Sequence, residues 1–161
     1  MKNPSGVLVV SFFLLLVGCG KKESAGSAVA ATTHGPKTFE LTANDTMKYN
    51  VNRLEVSAGE EVRLILTNIG TLPKQAMAHN WILLKQGDDP AAFANAAVAH
   101  QAQDYFPPEL AGEVLAHTRL LGPRESDTIT FKAPAAAGEY PFLCSFPAHF
   151  LTGMKGVLVV H

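Results

Sequence analysis

Cysteine is scarce: the 161-residue chain has two, Cys19 and Cys144, which excludes a framework of several disulfides. Neither sign of charge dominates, with 13 Lys and Arg against 14 Asp and Glu for a net charge of −1. Without a cluster of basic residues there is little to neutralise phosphates, and nucleic acid is excluded as a partner. Long apolar runs are missing too. The run Val7 to Val17 is too short to anchor in a bilayer as a spanning helix, but behind Lys2 it has the form of an export signal. There is no internal repeat, and the one low-complexity stretch lies between residues 20 and 37.

The apolar run ends in Leu16-Val17-Gly18-Cys19, which resembles the lipobox of bacterial lipoproteins, where the cysteine becomes the lipidated first residue. The alternative is an ordinary secretory signal with a chance cysteine. Residues 1–18 are accordingly expected to be a lipoprotein signal, 19–36 a flexible tether of small polar residues, and 37–161 one folded domain. Lipidation uses up the Cys19 thiol. Cys144 is then unpaired outside the cytosol, and it is a reactive thiol, half of an intermolecular disulfide, or a metal ligand.

Short runs alternate between apolar and polar residues: Phe39 to Leu41, Leu54 to Val56, Val62 to Thr67, Trp81 to Leu84, Leu115 to Leu121, Thr128 to Phe131, Tyr140 to Cys144 and Gly156 to Val160. A period of two over such lengths predicts strands with one buried face. Gly, Pro, Asn and Ser between them predict turns, and the whole reads as an all-β sandwich or barrel. Asp89-Pro90 followed by an alanine-rich body predicts one helix over residues 90–103, with Phe93, Ala97 and Val98 on its apolar face. The Pro107-Pro108 segment after it is expected to be irregular.

The sequence CSFPAHFLTGM places Cys144, His149 and Met154 at steps of five residues, and MAHNW places His79 at the mouth of an apolar strand. Two imidazoles, one thiolate and a weak thioether form the donor set of a copper electron-transfer site, in which soft sulfur favours Cu(I) and imidazole accepts both oxidation states. Zinc competes for Cys and His, although it rarely takes Met, and hydrolytic zinc sites need a general base. No acidic residue lies between Cys144 and Met154. A Cys-His enzyme is a third reading, which leaves Met154 and the second histidine without a role.

AMAHNWILL, LAHTRLLGPRESDTITF and FLCSFPAHFLTGMKGVLVV resemble the corresponding stretches of the azurin and auracyanin group of cupredoxins, from about Val51 to Val160. The resemblance implies an eight-stranded Greek-key β-sandwich with a short flap helix and one type 1 copper held by His79, Cys144, His149 and Met154, with the Ala78 carbonyl as a weak backbone contact. It implies that Asn80 hydrogen-bonds across to Ser145 and that Trp81 is in the core. Electron exchange is expected through a slightly exposed edge of His149, ringed by the apolar residues of its loop, with Met77 and Phe150 on the rim and Phe146 in the core. Two departures stand out. The azurin disulfide has no counterpart, and Asn68 stands where many azurins have a buried histidine. The other histidines, His34, His100, His117 and His161, read as solvated.

The function expected from this pattern is a one-electron carrier on the outer side of a membrane, tethered through Cys19 and exchanging electrons with redox proteins. It is not an enzyme, since copper oxidases and reductases add further histidine-ligated coppers. A copper delivery or storage protein of the cell envelope is the alternative.

Overall fold

The computed structural model describes residues 35–161. The expected signal, Cys19, His34 and nearly all of the expected tether lie outside them. Eight strands form in the described chain: β1 (Lys37–Ala43), β2 (Arg53–Val56), β3 (Glu61–Asn68), β4 (Ile82–Leu84), β5 (Val114–His117), β6 (Ser126–Lys132), β7 (Gly138–Leu143) and β8 (Lys155–Val160). They make two sheets, ordered β1-β3-β6 and β2-β8-β7-β4-β5. β1 runs parallel to β3 and β2 parallel to β8, while the other pairs are antiparallel. This is the all-β sandwich expected from the sequence.

The pleat decides what is buried. In β3, Val62, Leu64 and Leu66 point inward and Glu61 and Arg63 outward, as period two requires. They meet Leu41, Leu54, Trp81, Phe142 and Leu158 from both sheets in one core. Removing that apolar surface from water stabilises the fold at roughly 25 cal/mol per Å². The run Ile82-Leu83-Leu84 breaks the alternation because β4 is buried on both faces. Leu83 enters the main core, and Ile82 and Leu84 pack with Leu143 against Phe93 of a helix on the outside.

That helix, α2 (Pro90–Ala97), begins as the sequence predicts. Asp89 Oδ1 accepts the Ala91 N–H at 2.8 Å, and Pro90 takes the first turn. It ends six residues earlier than predicted, because after Phe93 and Ala97 it has nothing left to bury: Val98, expected on the apolar face, caps the helix and stands 55% exposed, and a short 3-10 turn (Gln101–Gln103) follows with no buried residue. Two further helical turns were not expected: α1 (Lys74–Met77), opened by Pro73, and a 3-10 segment (Pro108–Glu113). Pro108 begins the second of these, where no N–H donor is needed. The strand expected over residues 115–121 stops at His117. At Thr118 the ladder is replaced by a mixed pair, the Thr118 N–H donating to the Trp81 carbonyl at 3.0 Å and the Thr118 hydroxyl accepting the Trp81 N–H at 3.0 Å, and a full backbone bridge returns where Leu121 meets His79.

Candidate metal centre

The end of the sandwich where β3, β4 and β7 meet their loops gathers the predicted donors. His79 lies between α1 and β4 and is fixed by reciprocal backbone bonds with Leu121, at 3.1 and 2.7 Å. Cys144 follows the last residue of β7, its N–H donating to the Met154 carbonyl at 3.1 Å. The loop between them turns back on itself: the His149 N–H donates to Phe146, the Met154 N–H to His149, and Ala148 and Gly153 take positive φ of 69° and 94°. Ala148 accepts a conformation that normally favours glycine.

His79, Cys144 and His149 bring one donor atom each within 4.8 Å of one another, all three buried. The Cys144 Sγ lies 3.4 Å from His149 Nδ1. Met154 is fully buried beside them in sequence and core, and Ala78 is buried with extended backbone immediately before His79. Neither ring nitrogen of His79 has a hydrogen-bond partner. A buried imidazole without partners costs free energy unless something else accepts its lone pair, and a metal ion does so. The residues present therefore fit a soft, imidazole-binding metal.

Burial pushes the Cys144 thiol up to about 12, with the backbone amides of Asn80 and Phe146 pulling the other way. Burial likewise holds His79 down to about 4, against the opposing charge of Asp45 and the pull of the Asn44 backbone, which falls short of a well-formed hydrogen bond, and His149 down to about 4, assisted by His79. Near neutral pH both imidazoles are thus uncharged and ready to ligate.

Around this centre, Asn80 and Ser145 form a reciprocal pair: Asn80 Nδ2 donates to Ser145 Oγ at 2.8 Å and the Ser145 N–H to Asn80 Oδ1 at 2.9 Å. The pair joins the residue after His79 to the residue after Cys144, which orients both. Asn68 is buried, accepting from the Gly70 N–H at 2.9 Å and donating to the Leu121 carbonyl at 3.3 Å.

The rim differs from the sequence expectation. His149 is only 1% exposed, held between the rings of His79 and Phe146 at 4.8 Å each, rather than presenting an edge. Phe150, expected on the rim, is buried against Ile82 and Leu143, with the Lys155 ammonium 4.3 Å above its ring. The turn that carries it points Phe150 inward and leaves Leu151 outside, at 79% exposure. Met77 is half-buried, and Phe146 belongs to the core as expected. Of the remaining histidines, His100 pairs with Glu109 at 2.9 Å, His117 stacks on Phe106, and His161 is exposed at the C-terminus.

Sequence reasoning missed Tyr49 and Lys48, whose side chains bond to the carbonyls of Asn80 and Thr152. No local pattern marks such contacts, since the partners lie 31 and 104 residues away.

Known proteins extend the match beyond the centre. The family model for copper binding proteins of the plastocyanin/azurin family matches residues 37–161. Auracyanin-B of Chloroflexus aurantiacus is 38% identical over 136 residues, 84% of this chain and 56% of that protein. Azurin-2 of Alcaligenes xylosoxydans xylosoxydans is 40% identical over 121 residues, 72% of this chain and 91% of that one. The solved structure of dithionite-reduced auracyanin from Roseiflexus castenholzii superposes with a TM-score of 0.69 at 35% identity, covering 79% of this chain and 99% of its own. Identity at this level across the described fold, with a family model defined by copper binding, decides between copper and zinc: the chain belongs to the copper-binding plastocyanin/azurin family.

Proposed function

We propose that this protein is a membrane-tethered carrier of single electrons, in which His79, Cys144 and His149 would hold copper strongly and Met154 would be a weaker donor. The observation that carries this reading is the buried cluster of two imidazoles and one thiol, with one donor atom from each within 4.8 Å of the others. Copper held there supplies the Cu(I)/Cu(II) couple. The chain's own part is to fix four donors from two segments, keep water out, and hold Asn80 and Ser145 against the thiolate side. The Ala78 carbonyl, next to His79, is the candidate for a further weak contact. Partner redox proteins would dock on the loop that carries His149, where Leu151 stands 79% exposed, with the half-buried Met77, two residues before His79, at the edge. A small apolar contact of that kind dissociates readily.

Loading Cu(II) near neutral pH is expected to release one proton per copper. The proton comes from Cys144, whose thiol titrates at about 12, because the two imidazoles, at about 4, have none to give. Between those two values apparent affinity therefore rises about tenfold per pH unit. Calorimetry in buffers of different ionisation enthalpy counts the proton, and a count of zero contradicts Cys144 as the ligand.

Residues 1–18 are proposed as the lipoprotein signal, 19–36 as the tether and 37–161 as the copper domain. Acyl chains contribute about 0.8 kcal/mol per buried CH₂, so several of them on Cys19 hold the protein at the membrane. The wild type is expected in the membrane fraction, Cys19→Ser unprocessed, and a chain starting at Lys37 behind an ordinary secretory signal soluble and blue. Fractionation with spectra checks all three. Wild type wholly in the soluble fraction contradicts the lipid anchor, and a colourless shortened chain contradicts the domain boundary.

A further inference from the structure

The connection between β1 and β2 supplies no donor to the centre, yet it touches both chain segments that do. Its base is pinned: Ala43 pairs with Tyr49, the Asn50 N–H donates to Thr42 at 3.1 Å, and the Thr42 N–H donates to Asn50 Oδ1 at 2.8 Å. From this base three side chains reach outward. The Asp45 carboxylate accepts the Thr71 N–H and hydroxyl, each at 2.9 Å, in the loop ahead of α1. The buried Tyr49 hydroxyl donates to the carbonyl of Asn80, adjacent to His79. The Lys48 ammonium donates to the carbonyl of Thr152, within the loop from His149 to Met154.

Each contact suits its place. The His149 to Met154 loop winds into a helical turn, with the Thr152 N–H on Ala148 and the Gly153 N–H on Phe150, so carbonyls at its end lack partners and favour a cation. Gly153, at φ 94°, keeps the way open: a Cβ there would stand 2.7 Å from Lys48 Nζ. Burial raises the Tyr49 hydroxyl well above its usual range, so it remains a donor at ordinary pH. The Asn80–Ser145 pair already joins the His79 segment to the Cys144 end of the loop. Lys48 holds the other end.

We propose that Lys48 and Tyr49 are positioning residues that clamp the His79–Asn80 segment to the His149–Met154 loop through a connection that carries no ligand, so that the donors keep one geometry as the electron arrives and leaves. This rests on the four-ligand reading above. It makes the two ligand segments mechanically coupled across residues 44–50.

Amide hydrogen exchange of the full copper-free chain tests the coupling without relying on electron-transfer activity. Lys48→Met keeps the stem and removes the charge; Tyr49→Phe keeps the ring and removes the hydroxyl. Loss of one such hydrogen bond corresponds to about threefold to tenfold in a local opening equilibrium. Lys48→Met is expected to speed exchange by about threefold at Gly153 and Met154, and Tyr49→Phe by about tenfold at His79 and Leu121. The clamp further requires that each variant also speed exchange on the other's side while Leu64 and Leu66 in β3 stay unchanged. Copper-loaded variants are expected to show slower electron self-exchange by NMR line broadening. Effects confined to each variant's own side, or equal acceleration in β3, overturn the clamp. Lys48 is at the surface, so if Tyr49→Phe fails to fold, the response of His79 to Lys48→Met decides alone. The absorption spectrum of the Cu(II)-loaded wild type tests the ligand reading separately: a colourless wild type overturns that reading, whereas a blue wild type with no coupled exchange overturns the clamp alone.

Discussion

Replacing Cys144 by serine is expected to leave a folded chain that no longer turns blue with Cu(II). The intense colour of such a centre arises from charge transfer out of the thiolate, and a serine hydroxyl is neither soft nor ionised at ordinary pH. The fold survives because the backbone bond from Cys144 to the Met154 carbonyl, at 3.1 Å, does not depend on the side chain, and a serine hydroxyl can still face His149 Nδ1 where the Sγ lies at 3.4 Å. The substitution also removes little volume from the core. Copper affinity is expected to fall by more than the roughly 10–100-fold that loss of an outer hydrogen-bonding partner costs a metal site. Absorption spectra with far-UV circular dichroism check both halves. An unchanged intense visible band in the serine variant contradicts Cys144 as ligand.

Met154→Leu has the second largest expected effect, on the reduction potential rather than on copper retention. Met154 is fully buried, and its backbone is held at both ends, donating to His149 and accepting from Cys144. A Met to Leu exchange of similar volume usually costs less than about 1.5 kcal/mol, so the loop keeps its place. What disappears is a weak sulfur donor to Cu(II), and an apolar side chain fills the gap. Both changes favour Cu(I) and raise the potential. A tenfold shift in relative affinity moves a one-electron couple by about 59 mV, and a rise of at least that order is expected by voltammetry. A potential that stays fixed or falls contradicts Met154 as a donor to the copper.

The parts of this centre legible in the sequence are those whose signal is local or tied to a family pattern. Cys144, His149 and Met154 stand within one loop at even spacing, and their chemistry narrows the metal to copper or zinc before any fold is considered. His79 alone is an ordinary histidine; HNW and its resemblance to cupredoxins place it. The strands were legible because period two is written into β3 and β6, whereas the doubly buried Ile82-Leu83-Leu84 reads as a strand by length alone. The end of α2 was not legible, because alanine is a good helix former everywhere and only the loss of a buried face after Ala97 stops it. Nor was the inward turn of Phe150. A loop with Ala148 and Gly153 at positive φ can direct neighbouring side chains either way, and packing against Ile82 and Leu143 settles which. Tyr49 and Lys48 illustrate the general limit, since a side chain bonding to a distant carbonyl leaves no periodic trace.

The central claim, that this chain carries one electron on one copper, is tested most directly by spectroelectrochemistry of the Cu(II)-loaded wild type. A single intense visible band is expected to bleach on reduction and return on oxidation, following a one-electron Nernst curve with one copper per chain. Copper bound without that band, or a band whose loss takes other than one electron per copper, would contradict it.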